Sequence, residues 1–353
     1  MLKILFCAFK YEYGKPELGL SFEYRNFYEV LKSMQGVEAK FFAVDEIMGT
    51  SGRDGMNKQL IGQVENQKPD LLFCFLFTEE IKKATINYIT HKTATKTFNW
   101  FADDHWRFPI FSKRWAPLFT AVSTTDSQAV AKYKSIGINV IKTQWAANMA
   151  LYKPQLNVSG QKSNVCDITF VGKKYGNRES YINFLKSRQL SAEGYGGGWP
   201  SGRVSFEAML EIFSSSKINL NFTESYFSWP KQLAKLLVKK ELGNYRTNIQ
   251  YPISNIQSLI GARRPQIKGR TFEIPACGGF LLTGRADNLG EYYIEGKEAV
   301  VFNNSQDLAE KCKYYLAHEQ ERKAIALAGY QRTLKEHTYE HRFRLIFQAM
   351  GLG

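Results

Sequence analysis

The feature that most constrains this chain is an alternation, played out twice, of short unbroken apolar runs with amphipathic stretches. In the first half the runs fall at 3–8, 39–44, 70–75, 97–101, 119–123 and 140–143, separated by helical patterns at 22–34, 56–67, 80–90 and 127–136. Strands buried on both faces read as continuous apolar runs, and their alternation with helices implies parallel βαβ units with right-handed crossovers. Periodicity fails over 146–164, where Pro, Gly, Ser and Asn accumulate. It restarts with strand patterns at 167–171, 190–195, 217–222, 279–283 and 299–302, and helical ones at 178–188, 206–214, 271–277, 305–317, 320–335 and 339–350.

At 353 residues the chain exceeds one ordinary core. Two doubly wound α/β domains of the Rossmann type are therefore expected. The boundaries read as an N-terminal domain 1–147, a linker 148–164, a C-terminal domain 165–338 and a final helix 339–353. Two such sheets joined by a linker leave a cleft, the usual place for a small-molecule site.

Several function classes drop out. The five cysteines and five histidines are scattered, with no C-x-x-C or H-E-x-x-H spacing, so reduced thiols and no protein-built metal site are expected. The N-terminal apolar stretch is too short for a signal sequence, and no run of about 18 apolar residues offers a membrane span. A cytoplasmic protein is expected, with peripheral attachment to the inner membrane surface as an option. The formal charge of +14 suits an anionic partner: a nucleotide diphosphate, an acidic lipid surface or nucleic acid.

The strongest local signal is the strand–loop–helix 167–179. Gly172 closes a strand, Gly176 loosens the turn, and Lys173, Lys174 and Arg178 surround the next helix start. Free N–H groups and the helix dipole favour a phosphate there, whereas first-turn cations oppose that dipole unless an anion is present. The pattern is neither a Walker loop nor G-x-G-x-x-G, which argues against P-loop and dinucleotide enzymes. An ordinary solvated loop is the competing reading.

A second signal is the stretch 268–283, in which Arg270 and Glu273 share a helix face and Gly278 and Gly279 permit close approach. A carboxylate can accept two ribose hydroxyls while a guanidinium forks onto phosphate; a surface ion pair is the plainer alternative. Between these signals lies a segment, 224–266, rich in basic and aromatic residues. From Lys231 to Arg270 nine basic residues face one acid, Glu241. A lid over a diphosphate, a surface for nucleic acid or anionic lipid, and a solvated hairpin are the options for it.

On the N-terminal half, Asp103, Asp104 and His105 follow the fourth strand, at the carboxyl edge where open α/β sheets bind ligands. An acid there suits the base that deprotonates an attacking alcohol; helix capping is the alternative. The loop 10–23 is bent by Gly14 and Gly19 and followed by Glu23 and Arg25, an acceptor-side candidate or a plain connection.

These residues together carry a resemblance. Phe-Val-Gly at 170–172 with Glu179, the Tyr195-Gly-Gly-Gly-Trp segment, Ser216-Lys-Ile-Asn-Leu-Asn-Phe and Gly269-Arg-Thr-Phe-Glu-Ile-Pro-Ala-Cys-Gly-Gly resemble the CgeB-like, spore-maturation-type glycosyltransferases of the GT-B class. A fainter likeness links the Gly172…Arg178 and Arg270-x-x-Glu273 spacings to phage DNA β-glucosyltransferases. The resemblance implies two Rossmann-like domains facing a cleft, with the last helix packing back on the N-terminal one. It implies sugar transfer from a nucleotide diphosphate sugar, UDP-type favoured, to a hydroxyl on a glycan, protein, lipid-linked molecule or modified DNA, with no cofactor beyond that co-substrate and no metal. Glu273 would take the ribose, and Arg270 and Arg178 the diphosphate, with Gly172, Lys173, Lys217, Gly278 and Gly279 completing the donor set. Asp103 would act as base, with Asp104 and His105 beside it. Related retaining families place a second Glu eight residues before the ribose-binding one, where Pro265 stands here. A non-catalytic nucleic-acid-binding protein is the reading from another class.

Overall fold

A computed structural model describes residues 1–155, 166–224, 238–241, 244–247 and 252–353. The chain divides into two compact units. The first comprises Met1–Gln144, Ser228–Ala262 and Tyr339–Gly353, and the second Trp145–Phe227 and Arg263–Thr338.

The first unit is built on six parallel strands: β1 (Leu2–Ala8), β2 (Val37–Ala43), β3 (Leu71–Cys74), β4 (Lys96–Phe101), β5 (Ala121–Thr124) and β6 (Val140–Lys142). They lie in the order β2-β1-β3-β4-β5-β6. The registers, for example Phe6 opposite Phe73 and Phe73 opposite Phe98, stack aromatic rings across the sheet centre. The last helix, Tyr339–Ala349, covers this aromatic face. Phe343 meets Phe73 at 5.7 Å between ring centroids, Tyr339 meets Phe27 at 4.9 Å, and Lys96 Nζ donates to Met350 O at 2.7 Å. The end of the chain thus completes the core of the N-terminal unit, as the resemblance implies. Truncating a ring as buried as Phe343 removes about 3–5 kcal/mol of core packing.

The second unit holds β7 (Ile168–Val171), β8 (Ala192–Tyr195), β9 (Ile218–Asn221), β12 (Leu281–Gly284) and β13 (Val300–Phe302), all parallel, in the order β13-β12-β9-β7-β8. Between β9 and β12 the chain also forms an antiparallel pair, β10 (Val238–Glu241) and β11 (Asn244–Thr247). Two doubly wound α/β units are what the twofold alternation predicts.

Three departures have physical causes. The second helix starts at Val44, twelve residues earlier than its apolar periodicity suggests, because Gly49, Thr50, Ser51 and Gly52 hide the pattern; Gly52 breaks it at φ 65°. Residues 104–118 form short consecutive helical turns that proline-containing, aperiodic sequence does not announce. The first part of the expected linker, 148–155, groups with the second unit: Tyr152, 2% exposed, is buried in that unit's core, and the preceding Ala147 N–H donates to His337 O at 3.0 Å. The rest of the expected linker, 156–164, lies outside the described residues.

Candidate functional site

In the second unit, β7 runs straight into the 172–177 turn, and that turn is held tightly. Gly172 N–H donates to Tyr195 O and Lys174 N–H to Gly197 O, each at 2.8 Å, extending the β7–β8 ladder. The indole of Trp199 donates to Gly172 O at 2.8 Å. Gly196, at φ +129°, is required at its position, since a Cβ there would stand 2.5 Å from Gly172 O. The N–H groups of Gly172 and Lys174 are therefore committed to the ladder and are not offered to an anion.

Arg178 supplies a positive charge beside that turn. It opens the helix Arg178–Ser187, is 8% exposed, and lies over the Tyr175 ring at 4.0 Å. Its guanidinium donates to Lys173 O at 2.9 Å and to Tyr175 Oη at 3.1 Å, while Nε has no hydrogen-bond partner among the described residues. No described carboxylate pairs with it; the nearby Glu179 pairs with Lys174 at 2.7 Å. Burial pulls its pKa below the usual arginine value, because desolvation disfavours the charged form. A buried, acid-free cation at a helix N-terminus favours an anion on two counts.

The helix Arg270–Ala276 brings in the second half. Arg270 pairs with Glu273, and its Nε approaches Val171 O at 3.4 Å, one residue before Gly172. The two motifs separated by about a hundred residues thus meet at the carboxyl ends of the strands. Glu273 is 0% exposed, and its Oε1 has no hydrogen-bond partner among the described residues. Leaving such an acceptor unmatched costs about 1–3 kcal/mol, which a hydroxyl-bearing ligand would recover. Asn221 at the end of β9 fixes the helix from beneath, donating to Thr271 Oγ1 at 3.0 Å and Thr283 Oγ1 at 2.9 Å.

Three residues of the expected donor set lie elsewhere. Lys217 immediately precedes β9 and pairs with Asp167, which immediately precedes β7, at 2.9 Å. In parallel strands that is the amino edge, opposite Gly172. Gly278 and Gly279 come just before β12, at the same amino edge. Gly278 takes φ +74° beside Pro154, and a Cβ on Gly279 would meet Phe213 O at 2.5 Å. They turn the chain from helix to strand rather than admit a ligand. Sequence reasoning missed Trp199, Tyr175 and Asn221 as supports of the site; the Trp in Gly-Gly-Gly-Trp was the available signal.

In the first unit, Asp103 is half-buried at the end of β4 in a left-handed conformation, φ 60°. It lies at the carboxyl end of that strand, less buried than its neighbour Asp104. Asp104 does not fit the catalytic place expected for it. It is 0% exposed and accepts from Ser112 Oγ at 2.6 Å and Tyr133 Oη at 2.9 Å; burial pushes its pKa up to about 6. It is a structural carboxylate tying three helices together. His105 is 3% exposed with both ring nitrogens buried, which places the ring inside the fold, and Gly261 packs on its backbone carbonyl. Gly14 (φ +70°) and Gly19 (φ +82°) do bend the 10–23 loop. Arg25 and Glu23 follow on one helical turn, and burial, with the Glu12 charge, raises Glu23 to about 7. The expected insert divides as well: Ser228–Ala262 groups with the first unit, where helix Pro252–Gly261 packs on helix Asp104–Arg107. Lys231 and Lys235 lie outside the described residues.

Residues 178–348 match the family model described as glycosyl transferase-like, which covers both Arg178 and the Arg270/Glu273 helix. Over that segment the chain is similar to glycosyl transferase-like domains. The fold agrees with solved structures over nearly the whole chain. Sucrose-phosphate synthase from Thermosynechococcus elongatus matches with a TM-score of 0.61 at 10% identity, covering 100% of both chains. Anabaena Alr3699/HepE, solved with UDP-glucose, matches at 0.59 and 11% over 100% of both. A glycosyltransferase from Rickettsia africae ESF-5 matches at 0.61 and 11%, over 99% of this chain and 98% of that one. At such identities these establish the GT-B fold, two parallel α/β units. No curated protein sequence matches the chain. Among the described residues, no helix is long and apolar enough to cross a membrane.

Proposed function

We propose that the chain moves a sugar from a nucleotide diphosphate sugar, of the UDP type, to a hydroxyl acceptor, within the CgeB-like group its motifs resemble. The observation that carries this is the buried Glu273 carboxylate with one unmatched oxygen, beside Arg270 and on the same strand edge as the acid-free Arg178. A ribose diol donates to Glu273. The diphosphate lies toward Arg178, Lys173 and Arg270, whose charges stabilise the negative charge that builds as it leaves. The solved HepE complex with UDP-glucose supports the choice of nucleotide.

In the transfer, the bond between the anomeric carbon and the diphosphate oxygen breaks with its electron pair on the diphosphate. The acceptor oxygen bonds to that carbon, and in an inverting course its proton passes to the Asp103 carboxylate. Three cationic side chains supply the neutralisation, so the reaction is proposed to need no divalent metal. A thermal-shift panel of nucleotide sugars tests the reading: a true donor at a hundred times its Kd stabilises by about 2.7 kcal/mol. A panel in which no nucleoside diphosphate or its sugar shifts the transition would refute it.

A further inference from the structure

A cavity lies within the first unit, under the 10–23 loop. That loop is closed by pairing of Tyr11 with Leu20, with Glu12 N–H donating to Gly19 O at 2.9 Å and Ser21 N–H to Lys10 O at 2.8 Å. Asp45 anchors it from below, accepting from the N–H groups of Lys10 and Tyr11 at 2.9 Å each. On this rigid frame Tyr13 adopts φ 54°, a left-handed conformation costly for a residue with a bulky side chain. The outcome of that strain is a ring 62% exposed.

Tyr13 stands edge-on to Phe77, 41% exposed, at 5.8 Å between centroids, and Phe77 leans on Phe9 at 5.6 Å. Phe77 is itself pinned: its N–H donates to Glu80 Oε1 at 2.6 Å, and its carbonyl accepts from Arg107 at 2.9 Å. Two exposed aromatic rings held this firmly are not core packing. They border a cavity of about 170 Å³, which Phe9, Phe22, Glu12 and Glu23 also line. That is well below the about 300–1,000 Å³ of drug-sized sites, so it suits a single ring rather than an extended chain.

The polar groups of the cavity are the carboxyls of Glu12 and Glu23 and the hydroxyls of Tyr11 and Tyr13. Among the described residues neither Glu12 nor Glu23 is ion-paired, and the neighbouring Lys10 ammonium is committed to Glu46 at 2.8 Å. Flat aromatic faces beside carboxylates suit a molecule with one apolar C–H face and several hydroxyl donors. An ammonium would also satisfy the carboxylates. However, burial raises the Glu23 carboxyl to about 7, and the Tyr11 and Tyr13 hydroxyls on the cavity wall donate as well as accept. That favours hydroxyls.

We propose that this cavity binds one uncharged pyranose ring of the acceptor, its C–H face on Tyr13 and its edge against Phe77, with its hydroxyls donated to Glu12 and Glu23. The acceptor of the transferase is on this account itself a sugar. The inference rests on the transferase reading for the word acceptor; the binding of the ring does not.

Saturation-transfer NMR and calorimetry on the full chain test it. The probes are methyl glucopyranoside, methyl galactopyranoside, methyl N-acetylglucosaminide and, as the cationic alternative, putrescine, with UDP titrated into the same samples. At least one pyranoside is expected to bind in the millimolar range. Tyr13→Gly removes the ring while glycine keeps the backbone, and Glu23→Gln preserves shape; each is expected to weaken that binding roughly tenfold and leave UDP affinity unchanged. No pyranoside binding, binding indifferent to both variants, or binding of putrescine alone would overturn the proposal. Pyranoside binding with no UDP binding would instead remove the donor-site reading and leave this one standing.

Discussion

Replacing Glu273 by Gln should separate the donor site from the rest of the fold. The side chain is 0% exposed, one oxygen pairs with Arg270 and the other is unmatched. Glutamine keeps the volume, so no cavity forms, and Arg270, 30% exposed at its side chain, can turn to water. The loss of stability should be about 1 kcal/mol, the scale of a single hydrogen bond. Binding is affected differently. In the complex the carboxylate accepts charge-assisted hydrogen bonds from two ribose hydroxyls; the amide offers one neutral acceptor and turns a donor toward the second hydroxyl. Losing such a bond costs about 1.5–3 kcal/mol. Taking about 2–3 kcal/mol, the Kd for UDP rises by about 30- to 140-fold. Calorimetry measures this directly, with Lys217→Ala as a control at the opposite strand edge, expected to bind normally. Unchanged UDP affinity in Glu273→Gln, with circular dichroism showing an intact fold, would refute the assignment of this carboxylate.

Other outcomes follow from the same geometry. Arg178→Ala should weaken UDP by at least about tenfold but uridine little, because the proposed role of the guanidinium is to hold the phosphates; calorimetry with both ligands checks it. Asp103→Asn should lower kcat by about 10²- to 10⁴-fold while leaving UDP affinity unchanged, as expected for a base that touches only the acceptor. Gly196→Ala should lose about 1–3 kcal/mol in denaturant melts, since its Cβ would meet the Gly172 carbonyl at 2.5 Å and φ +129° is strained for alanine. The folded pKa of Asp104 is raised by burial from 3.8 to about 6, so its contribution to stability is full below about pH 4 and is lost as pH rises past about 6. The change is about 3 kcal/mol in scale, and Asp104→Asn should flatten the pH dependence of the melting temperature over that window.

Both sheets were legible because a parallel strand buried on both faces writes itself as an unbroken apolar run. Each predicted strand lies within two residues of its observed position. The candidate donor site was legible where charge was out of place. Arg178 in a first helical turn and Glu273 beside Arg270 are chemically conspicuous in any fold. What failed was inference from smallness and adjacency. Gly278 and Gly279 looked like room for a ligand but serve a turn at the amino edge, and Lys217 shared a motif with the site without sharing its edge. Asp104 neighbours Asp103 in sequence, but a helical turn begins between them and directs Asp104 into the core, where Ser112 and Tyr133 hold it. The aromatic cavity was invisible because its walls come from three separate segments, and nothing local distinguishes an exposed Phe77 from a buried one.

The most direct test is a crystal structure of the chain with UDP. The account predicts both ribose hydroxyls within hydrogen-bond distance of the Glu273 carboxylate and the diphosphate beside Arg178 and the 172–177 turn. UDP lying elsewhere on the second unit, or bound with its ribose away from Glu273, would contradict it.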